Sequence, residues 1–393
     1  MKIFIKGTNP CATRRQDLLH YNKFIEESGH EVVESIKDSD TIILWLCGYR
    51  TDAIENSLSE LKRCQKQYNH KLIIASGCLP DIIKNRLQQE FSGMIIPWKE
   101  AETFFEKLFL KESGAFNACS PIFCEAPLCY NARDYRAVNP DKDVIFADQF
   151  VKIFLVRGCL HNCTYCTEKL TFPKLKSNEI YPILEEYSKF YNTYNKIMFL
   201  GDSVGQYGIE FGYSLVDLID TFQTNYPNTK YGFQHIHPTD MLKLYSRLER
   251  YLEGKKIFHL NIPIQSASDK ILHLMNREYT RNDIDKLFNL IINCSFKSYD
   301  THLIIGFPGE TEEDFLETVE FMRLYKPRYA LISKYCDLEF IPSHKLPNKV
   351  NDTIILERIE ILSNELNKLG IIHSIDGGDF MEDRFKRINS RGE

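Results

Sequence analysis

The sequence lacks several features that would point to particular classes of protein. It has no apolar run of the roughly 18 residues that a membrane-spanning helix requires. Its first residues, MKIFIKGTNPC, have no apolar core followed by a small-residue cleavage site, so they do not resemble a signal peptide. Basic charge is not in excess either, since 49 Lys and Arg residues face 54 Asp and Glu residues, which argues against a general nucleic-acid binder. These absences predict a cytoplasmic, globular protein without a membrane partner.

Cysteine, by contrast, is plentiful, with 12 residues in a chain of 393. A reducing compartment argues against a disulfide framework, so metal binding or redox chemistry becomes the main alternative to simple burial. Most isolated cysteines are small core residues. The question is therefore which of the cysteines share a ligand-binding pattern.

The first hundred residues alternate between strand and helix patterns. Strands are predicted at residues 3–6, 31–36, 41–46 and 72–75, and helices at about 15–27, 52–67 and 80–91. This alternation predicts a flavodoxin-like, doubly wound parallel sheet in a domain of residues 1–112. Cys11, Cys47 and Cys78 follow predicted strands, at the edge where such sheets bind ligands. They are candidates for one shared site, the alternative being three separate structural cysteines, whereas Cys64 falls inside a helix.

Residues 113–147 are typical of a linker, because three prolines occur there among Ser, Asn and Asp residues. This segment also holds Cys119, Cys124 and Cys129. Their even spacing of five is not a known tight spacing for metal ligands.

Longer strand–helix units fill residues 148–350. Strands are predicted at 151–156, 197–200, 231–234, 257–262, 301–305 and 330–334, with helices at about 178–190, 241–252, 282–292 and 311–324. Six such units predict a partial (β/α)6 barrel, whose active residues lie at the C-terminal ends of its strands. Residues 351–393 are expected to form one helix and a short tail that contains four basic residues, Arg384, Lys386, Arg387 and Arg391.

A compact cysteine motif follows the first strand of this predicted barrel. Cys159, Cys163 and Cys166 have the spacing C-x3-C-x2-C. Three thiolates so close together suit three irons of a [4Fe–4S] cluster and leave the fourth iron open. Zinc is the alternative, but a structural zinc site needs a fourth protein ligand, and His161 inside the motif would be awkwardly placed.

With Tyr165 directly before the last cysteine, the motif resembles the signature of the radical S-adenosylmethionine (SAM) superfamily. The resemblance implies that the open iron binds SAM and that an electron from the reduced cluster cleaves it to a 5′-deoxyadenosyl radical. It also implies sensitivity to oxygen and a low-potential electron donor such as flavodoxin or ferredoxin. The protein would bind and orient these cofactors, which carry the chemistry.

Further blocks resemble the methylthiotransferases of this superfamily, and they occur in the family's order. These blocks are LGDSVGQYG at 200–208, HIHP at 235–238, PIQSAS at 263–268, MNREYT at 275–280 and IGFPGET at 305–311. Cys11, Cys47 and Cys78 match cysteines of that family's N-terminal domain, where they hold a second [4Fe–4S] cluster that is thought to carry the transferred sulfur. The resemblance covers about residues 1–100 and 148–345.

The resemblance suggests cofactor contacts for several residues, each with a structural alternative. Gly201 and Asp202 would approach the methionine part of SAM, or form an ordinary strand–helix turn. Gly306 and Glu310 would bracket its adenosine, or form a turn and a helix start.

Other polar residues of these blocks are open in the same way. Gln265 and Ser266 would touch SAM or substrate, or simply end a strand. Structural roles are favoured for His235 and His237, and Arg277 would pair either with a bound carboxylate or with a surface acid.

Some features depart from the family pattern. Arg14 stands where the family usually has Asn, Ala267 stands where it prefers Gly, and residues 341–347 replace a segment rich in Arg and Gly. The small β-barrel domain with which the family binds its substrate, which is RNA in the tRNA branches, is expected to be absent.

The function expected is replacement of a C–H bond by C–S–CH3, with one SAM for the methyl group and another for the radical. The net charge of −5 and the expected absence of the RNA-binding domain favour a polypeptide side chain as substrate. The alternatives are a tRNA adenosine as substrate, or a non-catalytic iron–sulfur scaffold or electron carrier.

Overall fold

The structure is a computed structural model that describes residues 1–8, 12–118 and 150–376. Cys11, the three cysteines predicted to lie in the linker and the four basic residues of the tail are outside the described residues. The described chain forms two compact units. One contains the residues up to Ala118 together with Thr167–Lys174, and the other contains Phe150–Cys166 and Leu175–Asp376.

The first unit is built on a sheet of five parallel strands. The strands are β1 (Lys2–Gly7), β2 (Glu31–Val32), β3 (Thr41–Leu46), β4 (Leu72–Gly77) and β5 (Met94–Ile95), and their spatial order is β2-β1-β3-β4-β5. The helices are α1 (Ala12–Glu27), α2 (Thr51–Gln67), α3 (Leu79–Ile82), α4 (Lys84–Glu90), α5 (Trp98–Leu108) and α6 (Ala115–Ala118). This strand order is the flavodoxin-like one, which confirms the predicted fold.

The apolar runs explain which strands are central. All six residues of β3 are buried, as expected for a parallel strand covered by helices on both faces. Trp45 of β3 packs against Tyr21 and Trp98 in an aromatic core between the sheet and helices α1 and α5. The predicted strand at 31–36 is wrong beyond Val32, and the predicted helix at 80–91 is interrupted at Ile83.

The second unit is built on an eight-stranded sheet. Its strands are β6 (Val151–Arg157), β7 (Lys176–Ser177), β8 (Lys196–Gly201), β9 (Lys230–Phe233), β10 (Ile257–Asn261), β11 (Tyr299–Ile305), β12 (Tyr329–Lys334) and β13 (Ile372–Asp376). The order is β13-β12-β11-β10-β9-β8-β6-β7, and all pairs are parallel except β6 with β7. The helices are α8 (Ile180–Ser188), α9 (Leu215–Asn225), α10 (Pro238–Glu253), α11 (Asp269–Leu274), α12 (Arg281–Asn293), α13 (Glu312–Tyr325) and α14 (Asp352–Lys368), while α7 (Glu168–Thr171) belongs to the first unit.

Each of the six predicted barrel strands is present, as expected for a radical SAM barrel. The main apolar cluster lies between the strands and the helices, and a smaller one joins Phe154, Met198 and Leu200 of neighbouring strands. β13 lies in residues that the sequence pattern assigns to the tail, so this strand was not predicted. No helix among the described residues has both the length and the apolar character needed to cross a bilayer.

Candidate functional site

The cysteine motif occupies a loop that leaves the C-terminal end of β6. Gly158 starts this loop with a φ of +76°, and its N–H donates to the Asp202 carboxylate at 2.8 Å. Two residues later the N–H of Leu160 donates to Oε1 of Gln206 at 2.7 Å. The loop is therefore held at its start by the segment that follows β8, the block 200–208 of the sequence.

A second segment, Leu274–Glu278, contacts the middle of the loop. The N–H of Thr164 donates to the Met275 carbonyl at 3.0 Å, and its hydroxyl donates to the Leu274 carbonyl at 2.9 Å. The side-chain amide of Asn276 donates to the Asn162 carbonyl at 2.9 Å. This is part of the MNREYT block, so the conformation of the loop depends on residues more than a hundred positions away.

His161 is buried and links the loop to α10. Its Nε2 lies 2.8 Å from Oδ2 of Asp240, and its ring stacks on His237 with centroids 3.7 Å apart. His237 in turn accepts from the N–H of Thr239 at the start of α10. His161, His237 and Asp240 fix the loop to α10, and their ligand atoms lie within 4.8 Å of one another, which is close enough to share one cation.

The three thiols of the loop do not all lie within 4.8 Å of one another. Two groups of described residues bring three ligand atoms within 4.8 Å of one another, and neither is formed by Cys159, Cys163 and Cys166. A zinc ion with Zn–S bonds of about 2.3 Å would hold its sulfurs about 3.8 Å apart, whereas a cubane holds them farther apart. Burial raises the pKa of Cys159 to about 11, so this thiol needs a bound cation to ionise.

Arg277 belongs to the MNREYT block, and the sequence leaves its partner open between a bound carboxylate and a surface acid. It is buried, and its Nη1 donates to Oη of Tyr165 at 2.8 Å and contacts Sγ of Cys163 at 3.6 Å. Of the two alternatives, the surface ion pair is not formed among the described residues, and a contact with a bound carboxylate stays a prediction. The signal in the sequence was the position of Arg277 inside the MNREYT block, but only the fold shows that this block reaches the loop.

The structure gives structural roles to Gly201 and Asp202. A Cβ on Gly201 would lie 2.7 Å from Cγ1 of Val156 and 2.8 Å from its carbonyl oxygen, so close approach of β8 to β6 requires glycine here. Asp202 accepts from Gly158 and thereby holds the cysteine loop. A further contact of either residue with SAM stays a prediction.

Gln265 and Ser266 differ in backbone conformation and in the contacts that they make. Gln265 has a φ of +67°, and its backbone bonds to His302 and Ile304 of β11. Ser266 is buried, with its hydroxyl 3.4 Å from that of Thr318 on α13. The strained Gln265 is the better of the two candidates for a ligand contact.

Gly306 and Glu310 form a buried turn. Gly306 has a φ of +83°, and its N–H donates to Glu310 at 2.8 Å. Arg358 donates to the same carboxylate at 2.9 Å, yet burial raises the pKa of Glu310 to about 7. Both donors bond to Oε2 of Glu310, and an adenosine contact stays a prediction.

The two histidines of the HIHP block have structural partners, as favoured from the sequence. His235 has a φ of +56°, and its Nδ1 lies 3.2 Å from the Gly201 carbonyl. His237 caps α10.

In the first unit, the structure brings the segments of Cys47 and Cys78 together. Leu46 and Gly77 are paired in register at the ends of β3 and β4, so the two cysteines follow neighbouring positions. A Cβ on Gly48 would lie 3.4 Å from the Cα of Leu79, which shows how closely the two chains pass. Burial raises the pKa of Cys47 and so favours its neutral thiol.

Buried hydroxyls support the turn at Cys47. The N–H of Cys47 donates to Oγ1 of Thr8 at 3.2 Å and to Oγ of Ser57 at 3.1 Å, and these two oxygens are 2.6 Å apart.

Arg14, which departs from the family pattern, is buried and pairs with Asp17 at 2.8 Å.

Comparison with known proteins identifies both parts of the chain. The family model described as "Radical SAM superfamily" matches residues 153–322, and "Uncharacterized protein family UPF0004" matches residues 2–96. Together they cover the barrel with its cysteine loop and the sheet that carries Cys47 and Cys78. The chain belongs to the radical SAM methylthiotransferase family. Enzymes of this family use SAM and [4Fe–4S] clusters.

Curated relatives of this methylthiotransferase carry two kinds of name. "tRNA-2-methylthio-N(6)-dimethylallyladenosine synthase" of Pseudothermotoga lettingae is 26% identical and aligns over 93% of this chain and 85% of its own length. "Ribosomal protein uS12 methylthiotransferase RimO" of Thermosipho africanus is also 26% identical, over 91% of this chain and 82% of its own.

Solved structures support the fold. The radical SAM methyltransferase TsrM of Kitasatospora setae, with cobalamin and a [4Fe–4S] cluster bound, superposes with a TM-score of 0.59 at 11% identity. The superposition covers 87% of this chain and 76% of the TsrM chain. At this identity the likeness concerns the fold alone.

Proposed function

We propose that this enzyme replaces a C–H bond of a polypeptide side chain by C–S–CH3. When bound, the cofactors supply the radical that abstracts hydrogen, and the sulfur and methyl group that replace it. The observation that carries the proposal is the pair of cysteine sites, one in each unit, each at the C-terminal ends of parallel strands. An electron carrier would need no open iron and no second cysteine set.

The roles of the two cysteine sets follow from their surroundings. Cys159, Cys163 and Cys166 would hold the cluster that binds SAM. The loop provides three thiols for three irons and leaves the fourth iron open for SAM, which is the molecule cleaved. Cys11, Cys47 and Cys78 would hold the second cluster and present its sulfur. The in-register pairing of Leu46 with Gly77, which precede Cys47 and Cys78, supports this role for the last two, while Cys11 lies outside the described residues.

A polypeptide is the proposed substrate because the chain carries a net charge of −5, and tRNA binding depends on neutralising phosphates. The name of the Thermosipho relative, a ribosomal protein methylthiotransferase, agrees with such a substrate. A tRNA adenosine is the second candidate, because a relative of equal identity is named for a modified adenosine.

The test compares cells with and without this protein by mass spectrometry of digested peptides and of tRNA nucleosides. A peptide that carries SCH3 in place of H only when the protein is present supports the proposal. A methylthio-adenosine that disappears with the protein, without any such peptide, identifies tRNA as the substrate. The matched control is the Cys47→Ala, Cys78→Ala variant, which should still form 5′-deoxyadenosine from SAM with dithionite but should transfer no methylthio group.

A further inference from the structure

Arg277 is a buried cation that is surrounded by neutral groups. Its Nε donates to Oη of Tyr279 at 2.8 Å, and its Nη2 donates to the Pro263 carbonyl at 2.6 Å. Its Nη1 donates to Oη of Tyr165 and contacts Sγ of Cys163 at 3.6 Å. Four N–H groups are thus directed at three oxygens and one sulfur.

None of the described residues provides Arg277 with a carboxylate partner, although only 9% of its surface is exposed. Tyr165 and Tyr279 are phenols, whose ordinary pKa is about 10, so they are neutral at pH 7 and supply no counter-charge. Burying an unpaired guanidinium costs several kcal/mol. The other deeply buried arginines, Arg14 and Arg358, each pair with a carboxylate, at 2.8 Å and 2.9 Å.

Among the described residues that contact Arg277, Cys163 is the one whose sulfur becomes negative when the cofactor is loaded. Three thiolates on a [4Fe–4S]²⁺ core give a formal charge of about −1, and about −2 after one electron is added. A cation beside a thiolate ligand therefore stabilises the reduced state more than the oxidised state. Hydrogen bonds to cluster sulfurs are known to raise reduction potentials in the same direction.

We propose that Arg277 is a positioning residue that serves as the counter-charge of the SAM-binding cluster and raises its reduction potential through the Nη1–H···Sγ contact with Cys163. This inference rests on the proposed role of Cys163 as a cluster ligand. The redox step is the transfer of one electron from an external reductant to the cluster, and Arg277 neither gains nor loses a proton in it.

The experiment is a redox titration of the SAM-binding cluster, followed by electron paramagnetic resonance. The full-length chain is used with Cys11, Cys47 and Cys78 replaced by Ala, so that one cluster is observed. In Arg277→Met, the ratio of reduced to oxidised cluster at a fixed potential should fall at least tenfold, which is about 59 mV for one electron. Arg277→Lys keeps the charge, and its ratio should stay within about threefold of the parent. Arg323→Met on the outer face of α13 is the matched control and should leave the ratio unchanged.

A second measurement remains informative if Arg277→Met binds iron poorly. Thermal unfolding is compared for the cluster-free and the reconstituted protein. In the parent, cluster loading should raise the midpoint by more than in Arg277→Met, because loading supplies the missing counter-charge. Equal gains in both, or an unchanged potential in a fully loaded Arg277→Met protein, would overturn the proposal. Full iron retention by the Cys159→Ala, Cys163→Ala, Cys166→Ala protein would instead overturn the cluster assignment itself.

Discussion

Ser57 is a buried hydroxyl through which α2 supports the turn that carries Cys47. In Ser57→Ala, the Cys47 N–H keeps only the longer bond to Thr8. We expect the free energy of unfolding of the first unit to fall by about 1–2 kcal/mol, because a buried donor loses an acceptor. Both tryptophans, Trp45 and Trp98, lie in this unit, so fluorescence-monitored urea unfolding measures it directly.

Ser59→Ala is the control for this prediction, since Ser59 is exposed on the same helix. Its unfolding curve should match the parent. On dilution, the Ser57→Ala variant should also lose iron from the site of Cys47 faster than the parent protein does. The cluster of the second unit should be retained in both. Equal stability of the two alanine variants would show that the hydroxyl pair does not hold the turn.

At the level of elements, the end of β4 depends on Gly77. Its φ is +95°, and a Cβ there would lie 2.7 Å from both N and O of Leu46. Gly114 has nearly the same φ, +91°, but open space around it. We expect Gly114→Ala to cost about 1 kcal/mol from backbone strain alone. Gly77→Ala should cost about 3 kcal/mol or more, because β3 and β4 must also move apart.

The comparison is again made by tryptophan fluorescence in urea. Since Cys47 and Cys78 follow these strand ends, Gly77→Ala should also lower iron binding at their site, whereas Gly114→Ala should not. Similar costs for the two variants would mean that the strand ends adapt to the added methyl group.

The start of α13 is fixed by Asp314. This buried carboxylate accepts from Lys270 at 2.7 Å, from Ser268 at 2.6 Å and from the Thr311 N–H at 2.8 Å. Burial opposes its ionisation, but these donors outweigh burial and lower the pKa of Asp314 to about 2. A lowered pKa means that the stabilisation is complete above the unfolded value, near pH 4, and is lost as the pH falls towards 2.

Asp314→Asn should therefore lower the free energy of unfolding by about 1–2 kcal/mol at pH 7, and the difference should shrink below pH 4. Circular dichroism of the cluster-free protein in urea, repeated between pH 7 and pH 3, checks this. Glu320→Gln, on the exposed side of α13, is the control. A difference that does not change with pH would show that the shape of Asp314, rather than its charge, matters.

For the whole molecule, we expect about eight irons and eight inorganic sulfides after anaerobic reconstitution, corresponding to two [4Fe–4S] clusters. Replacing Cys159, Cys163 and Cys166 by Ala should halve both values. Replacing Cys11, Cys47 and Cys78 should do the same, because Cys47 and Cys78 lie in a different compact unit from Cys159, Cys163 and Cys166. A parent protein with only about four irons would contradict the second cluster.

The sequence by itself determined the two α/β units, the family and the six candidate cysteine ligands. Buried parallel strands such as β3 appear as continuous apolar runs, and the spacing of Cys159, Cys163 and Cys166 is local. Patterns of this kind are visible because the residues that specify them are close together along the chain. Short or edge elements such as β2 and β13 were missed or misplaced, since two to five residues carry too little periodicity.

Only the tertiary structure decided what the polar residues of the motifs do. It placed Ser266 against Thr318 and Glu310 against Arg358, which are partners more than 40 positions away. It also showed that Arg277 contacts the cysteine loop from 114 residues downstream, as a cation without a carboxylate partner among the described residues. Burial and charge pairing depend on which distant segments meet in space, and neither can be read from the spacing of residues along the chain.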